Sequence, residues 1–97
     1  MRVSLTPEAE RDLASAQDWY DGQAPGVGQR FMTEYRTLAT RLADNPYQFP
    51  AVRGDTRRAG FRRFPYGLFF RIRDGVVEIF ACFHASRSSH HWQRHKQ

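Results

Sequence analysis

Gly67-Leu68-Phe69-Phe70-Arg71-Ile72-Arg73-Asp74-Gly75-Val76-Val77-Glu78-Ile79-Phe80-Ala81 is the stretch on which the fold of this chain turns. Two β-prone runs flank Asp74-Gly75, a two-residue loop suited to a type I′ turn, in which both central residues take positive φ. A turn of that kind sets the strand register. Arg73 should face Val76, Ile72 Val77, Arg71 Glu78, Phe70 Ile79, Phe69 Phe80 and Leu68 Ala81. Side chains alternate across a strand, so Leu68, Phe70, Ile72, Val77, Ile79, Ala81 and Phe83 are expected on one apolar face. The opposite face should carry Arg71 against Glu78, Phe69 against Phe80, and then Gly67, Cys82 and His84. Two Phe rings exposed beside charge suggest a surface meant to be covered by a partner.

The segments upstream supply the layer that the apolar face needs. Arg2–Leu5 is short and β-prone. Thr6 can cap a helix whose first residue is Pro7, and Glu8, Glu10 and Asp12 favour the positive end of its dipole. Ala9, Leu13, Ala16 and Tyr20 form one stripe at helical spacing, and Asp21-Gly22 should end that helix. A second helix is expected to open at Pro25, with Val27, Phe31, Tyr35, Leu38 and Leu42 as its stripe, and to stop at Asp44-Asn45-Pro46. The short link predicts an antiparallel helical hairpin. Residues 45–56 read as an extended connector. The strand period begins at Arg57, with Phe61–Phe64 as strand before Pro65-Tyr66 interrupts it. The fold class is α+β in the order β-α-α-β-β-β, the helical hairpin packing on one face of a small, mainly antiparallel sheet. Residues 1–97 are expected to be a single domain, with 84–97 a less firmly held tail.

The 97 residues carry eight Phe, four Tyr and two Trp, enough large rings to fill a small core. A single cysteine, Cys82, excludes an internal disulfide framework. No segment has the length and apolarity of a membrane span, and the start does not resemble a signal peptide, so a cytoplasmic location is expected. Charge divides unevenly: residues 1–50 hold five Arg against seven acids, whereas residues 51–97 hold nine Arg and one Lys against three. Those balances, −2 and +7, point the second half toward an anionic partner, either nucleic acid or an acidic protein segment. GC-rich coding would also favour Arg over Lys, but it does not explain the asymmetry.

Trp19-Tyr20, the Pro25 start, Arg30-Phe31, Asn45-Pro46, Arg57-Arg58, the run Phe61-Arg62-Arg63-Phe64-Pro65-Tyr66-Gly67-Leu68-Phe69-Phe70-Arg71-Ile72 and the ending Phe83-His84-Ala85-Ser86-Arg87 … Trp92-Gln93-Arg94 together resemble the ParE branch of the RelE/ParE toxin superfamily. The resemblance spans essentially the whole chain. It implies the toxin of a type II toxin–antitoxin pair, causing growth inhibition and serving plasmid stabilisation. RelE-like members cut messenger RNA in the ribosome; ParE-like members poison DNA gyrase. Gly67 stands where RelE-like enzymes usually carry an Arg, and Trp92 stands for their C-terminal Tyr or His. Both departures favour the gyrase-directed branch. The implied partners are DNA gyrase and a cognate ParD-like antitoxin with an acidic C-terminal segment, assembling into a higher-order hetero-oligomer. No membrane and no cofactor are implied.

Several residues are candidates for a site. Arg57, Arg58, Arg62 and Arg63 form a basic cluster that could neutralise phosphate, bind an acidic partner, or simply solvate an edge strand. Alternation would place Arg62 and Arg63 on opposite faces. Arg58, Arg62, Arg63, His84, Arg87 and Trp92 are the candidates for target binding. Trp19, Tyr20, Phe69, Arg71 and Phe80 are those for the antitoxin. If the chain is an mRNA endonuclease, His84, Arg87 and Arg63 would carry catalysis, because imidazole exchanges protons near neutrality. A His at a strand end is otherwise a hydrogen-bonding residue. His91 and His95, four apart, with Cys82 as the one thiol, give too few ligands for a metal site. A non-toxic nucleic-acid-binding module is a third reading, one whose affinity would fall steeply with salt.

Overall fold

The computed structural model describes residues 1–87. Strand β1 (Arg2–Leu5) leads into helix α1 (Pro7–Gln23), then helix α2 (Val27–Asp44) and a single 3-10 turn (Pro46–Gln48). Strands β2 (Ala51–Arg53), β3 (Thr56–Gly60), β4 (Tyr66–Arg73) and β5 (Val76–His84) follow. The sheet has the order β1-β5-β4-β3-β2, with β1 parallel to β5 and the other pairs antiparallel. The two helices lie on one face of it, as expected. A five-stranded sheet replaces the four strands read from the sequence, because the supposed connector 45–56 contains a 3-10 turn and the short edge strand β2.

Local capping chemistry explains the helix ends. The Thr6 hydroxyl accepts the Ala9 amide at 3.2 Å, and Pro7 is the first helical residue. Helix α1 runs past Asp21-Gly22 to Gln23. Asp21 instead serves the next helix, its Oδ1 accepting the Gly28 amide at 2.9 Å. The start expected at Pro25 falls at Val27, because Gly26 sits at φ 87°, a left-handed conformation that glycine adopts freely and that no helix can include. Asn45 halts α2 as expected and then caps the 3-10 turn through its side chain, which accepts the Tyr47 amide.

The Asp74-Gly75 turn forms with φ 50° and 72°, and the predicted pairs Arg73–Val76, Ile72–Val77, Arg71–Glu78 and Phe70–Ile79 are present. Beyond them the register departs from the expectation. Phe69 pairs with Ala81, Leu68 with Cys82, Gly67 with Phe83 and Tyr66 with His84, so Phe80 is the extra residue of a β-bulge. The cause lies outside the hairpin. β1 ends at Leu5, and the β5 backbone next to it takes partners from α1. The Thr6 amide donates to Ile79 O at 2.9 Å, the Thr6 hydroxyl to Phe80 O at 3.4 Å, and the Cys82 amide to Asp12 Oδ2 at 3.0 Å.

The bulge exchanges faces. Cys82, expected opposite the helices, joins the core beneath them with Leu68, Phe70, Val77, Ile79, Phe31, Leu38 and Leu42. Ala81 and Phe83, expected in that core, cluster on the other side with Phe69 and Phe80. Those two rings are 6% and 1% exposed, which corrects the expectation that they form an open aromatic surface. No helix among the described residues is long and apolar enough to cross a membrane.

Candidate functional site

The four arginines expected as one basic cluster are sent in three directions. Arg57, on the helix-facing side of β3, donates to Phe49 O at 2.6 Å and stacks over the Tyr47 ring at 5.2 Å. Arg58, on the other face, lies across Gly67: a Cβ there would stand 2.6 Å from Arg58 Nε and 2.7 Å from its guanidinium carbon. The guanidinium also rests 6.0 Å from the Phe69 centroid. The sequence position at which a strand cation is missing is thus filled across the ladder by a neighbouring strand.

Arg62 and Arg63 are not on a strand and do not alternate. Residues 61–65 form a loop in which the rings turn in and the cations turn out. Phe61 stacks on Phe31 at 4.8 Å, and Phe64 meets Tyr20 at 4.8 Å and Phe31 at 5.2 Å. The Glu34 carboxylate on α2 clasps the loop: the Arg62 amide donates to Oε2, and the Arg63 amide to Oε1 at 3.1 Å. Both guanidinium groups are exposed beside Arg30, along a groove of about 870 Å³ that Val27 and Phe64 also line. Sequence reasoning missed Arg30 and Glu34 as members of this site; both lie on the polar side of α2, where charge is unremarkable until a loop packs against it.

A second, smaller cleft of about 290 Å³ lies between α1 and the far ends of β4 and β5. Asp12, Ser15, Trp19, Tyr66, His84 and Arg87 line it. It brings His84, Arg87 and Trp19 together, as candidates from two different lists, and keeps Arg58 and Arg63 out. Burial pushes the Tyr66 hydroxyl up, the Cys82 thiol adds to that shift, and Arg87 opposes it. Burial likewise raises the Cys82 thiol far above its ordinary value; the Asp12 carboxylate adds to this and Arg58 counters it. Both groups therefore keep their protons at neutral pH.

His84 is tied into a turn. Its Nδ1 accepts the Ser86 amide at 3.0 Å, its carbonyl accepts the Arg87 amide at 2.9 Å, and its ring meets Tyr66 edge-on at 5.2 Å. With Nδ1 an acceptor, a neutral imidazole carries its hydrogen on Nε2.

The antitoxin candidates divide too. Trp19 is 57% exposed and packs edge-on against Tyr20 at 5.0 Å, whereas Tyr20 sits in the ring cluster with Phe31, Phe64 and Tyr66. Arg71 is engaged internally, its Nε 2.9 Å from Glu78 Oε1 and its guanidinium 4.8 Å from the Phe80 centroid. Trp92, His91 and His95 lie outside the described residues. Among the described residues no group of side chains could hold a metal ion.

A family model described as the ParE toxin of the type II toxin–antitoxin system parDE matches residues 3–89. No curated protein matches the chain. Among solved structures, a chain of the chromosomal ParDE toxin–antitoxin system from P. aeruginosa superposes with a TM-score of 0.77 at 19% identity, covering 87% of this chain and 95% of that one. A chain of the RelBE2 toxin–antitoxin complex from Mycobacterium tuberculosis superposes with a TM-score of 0.60 at 26% identity, covering 86% and 95%.

Proposed function

Because the chain belongs to the ParE toxin family of type II toxin–antitoxin systems, we propose that it arrests growth in the cytoplasm by inhibiting DNA gyrase and is neutralised by a cognate antitoxin. The observation that carries the choice of target is the hydrogen bonding of His84. Its Nδ1 accepts the Ser86 amide, which leaves the other ring nitrogen and the Arg87 guanidinium as donors in a cleft that the Asp12 carboxylate also lines. Two donors beside an exposed indole suit binding to an anionic or polar surface. Neutralisation follows from kinship: both solved relatives are named as toxin–antitoxin systems. A toxin that outlives its antitoxin would also favour retention of the replicon that encodes the pair.

Purified chain should block supercoiling by DNA gyrase, and its induction without antitoxin should trigger the SOS response. Intact supercoiling and a silent SOS response under growth arrest would overturn the choice of target. One observation favours a second reading, a ribosome-dependent mRNA endonuclease: His84 and Arg87 share one cleft with Tyr66, and a RelBE-type chain is among the structural relatives. That reading predicts new 5′ ends in translated messages after induction. It also predicts that replacing His84 and Arg87 together with Ala abolishes toxicity.

A further inference from the structure

We propose that the groove between α2 and the 61–65 loop binds a nucleoside di- or triphosphate. This site goes beyond the toxin reading and does not depend on which target the toxin has. The groove carries three guanidinium groups, Arg30, Arg62 and Arg63, against one carboxylate, Glu34, a balance of +2. Among the described residues none of the three arginines makes an ion pair. The Glu34 oxygens are taken up by the Arg62 and Arg63 amides, so the carboxylate holds the loop and leaves its guanidinium forks open. Planar forks held in a frame suit a phosphate chain, whose oxygens accept hydrogen bonds in pairs.

The rest of the groove narrows that anion to a nucleotide. Thr33 and Thr37 donate their hydroxyl hydrogens to the helix, to Gln29 O at 3.0 Å and to Thr33 O at 3.2 Å. Each hydroxyl oxygen is thereby left as an acceptor, for a ribose hydroxyl or a base amine, groups that inorganic phosphate lacks. Val27 and Phe64 add apolar surface, and T-shaped contacts with Tyr20 and Phe31 hold the Phe64 ring in place. A base has a flat face to lay against such a surface. The volume of about 870 Å³ lies within the range of small-molecule sites. Charge also favours a compact ligand over a long nucleic-acid strand. The Asp21 carboxylate accepts the Gly28 amide, one residue from Val27, so a phosphate track leaving by that end would run toward a negative group.

The test is isothermal titration calorimetry of the full chain, in magnesium-free buffer, with ATP, ADP, AMP, tripolyphosphate and a short single-stranded oligonucleotide. ATP and ADP should bind more tightly than AMP, which offers the forks one phosphate, and than tripolyphosphate, which offers no ribose or base. The variant Arg30→Gln/Arg62→Gln/Arg63→Gln should weaken ATP binding about tenfold or more. The variant Thr33→Val/Thr37→Val should weaken ATP binding about threefold and leave tripolyphosphate binding unchanged. All five side chains are exposed and the Glu34 bonds come from amides, so both variants should melt close to the parent. The control Arg36→Gln/Arg73→Gln changes two exposed arginines outside the groove and should bind ATP as the parent does. The assignment is overturned if the parent takes up no ATP, or if the triple arginine variant binds it equally well. Tripolyphosphate binding as tightly as ATP, or an oligonucleotide that binds more tightly and displaces ATP, overturns it too. None of these titrations involves gyrase or growth, so the toxin reading stands or falls separately.

Discussion

The two faces of the sheet are both aromatic and both buried, yet they are built by different rules. Beneath the helices, Leu68, Phe70, Val77 and Ile79 follow the strict alternation that the Asp74-Gly75 turn dictates. On the opposite face, Phe69, Phe80, Ala81 and Phe83 gather because Phe80 is bulged and every later residue of β5 changes side. Arginines close that second face from above: Arg71 over Phe80, and Arg58 over Gly67 and toward Phe69. One face is thus set by local turn chemistry, the other by where β1 stops and α1 takes over. A hairpin can obey its turn for half its length and a distant helix for the rest.

The comparison is broken most severely by emptying either face. Phe70→Ala and Phe80→Ala should each cost about 3–5 kcal/mol in chemical denaturation, since both rings are almost fully buried. A Phe80 loss near zero would mean that the second face is not a core at all. Next comes the contact that serves the bulged half. Asp12→Ala should cost about 1–3 kcal/mol by leaving the Cys82 amide without its acceptor. Asp12→Asn, which keeps an oxygen there, should cost clearly less. Equal losses for the two would show that charge, not the backbone bond, matters at this position.

Alkaline titration sharpens the same contrast at lower amplitude. The folded state raises the affinity of Cys82, Tyr20, Tyr35 and Tyr66 for their protons, chiefly by burial. A raised folded value contributes stability that is whole below the unfolded value and is lost as pH climbs toward the folded one. The melting temperature should therefore hold to about pH 8, near where an unfolded thiol begins to ionise, and fall through the alkaline range beyond it. Cys82→Ala should flatten the first part of that fall, whereas an unchanged profile would remove the thiol from the account. The smallest effect is expected at Gly67. A methyl group would meet only the far end of the Arg58 side chain, which can swing away. Gly67→Ala should therefore change stability by less than about 1 kcal/mol. A larger loss would show that the stacked guanidinium is fixed in place.

The candidate site was legible in its parts and not in its grouping. Trp19, His84, Arg87, Arg62 and Arg63 were all readable as exposed or chemically capable residues. Their division into a cleft beside α1 and a groove beside α2 was not, because 61–65 looks like strand by composition and is held as a loop by Glu34, 28 residues away from Arg62. Beyond its place beside Phe31 in the family resemblance, the groove's own Arg30 gave no signal, since a lone cation on a solvated helix face carries no information about what will pack beside it.

Sequence alone determined the elements whose causes are local. These are the Thr6-Pro7 helix start, the stop at Asn45-Pro46, the tight turn at Asp74-Gly75 and the four residue pairs nearest to it, all governed by backbone dihedrals and near neighbours. Only the tertiary structure decided the bulge at Phe80, the short edge strand Ala51–Arg53 and the separation of the four arginines. Thr6 and Asp12 reach partners 74 and 70 residues away, and contacts at such range depend on where the helices dock, which no window of sequence encodes.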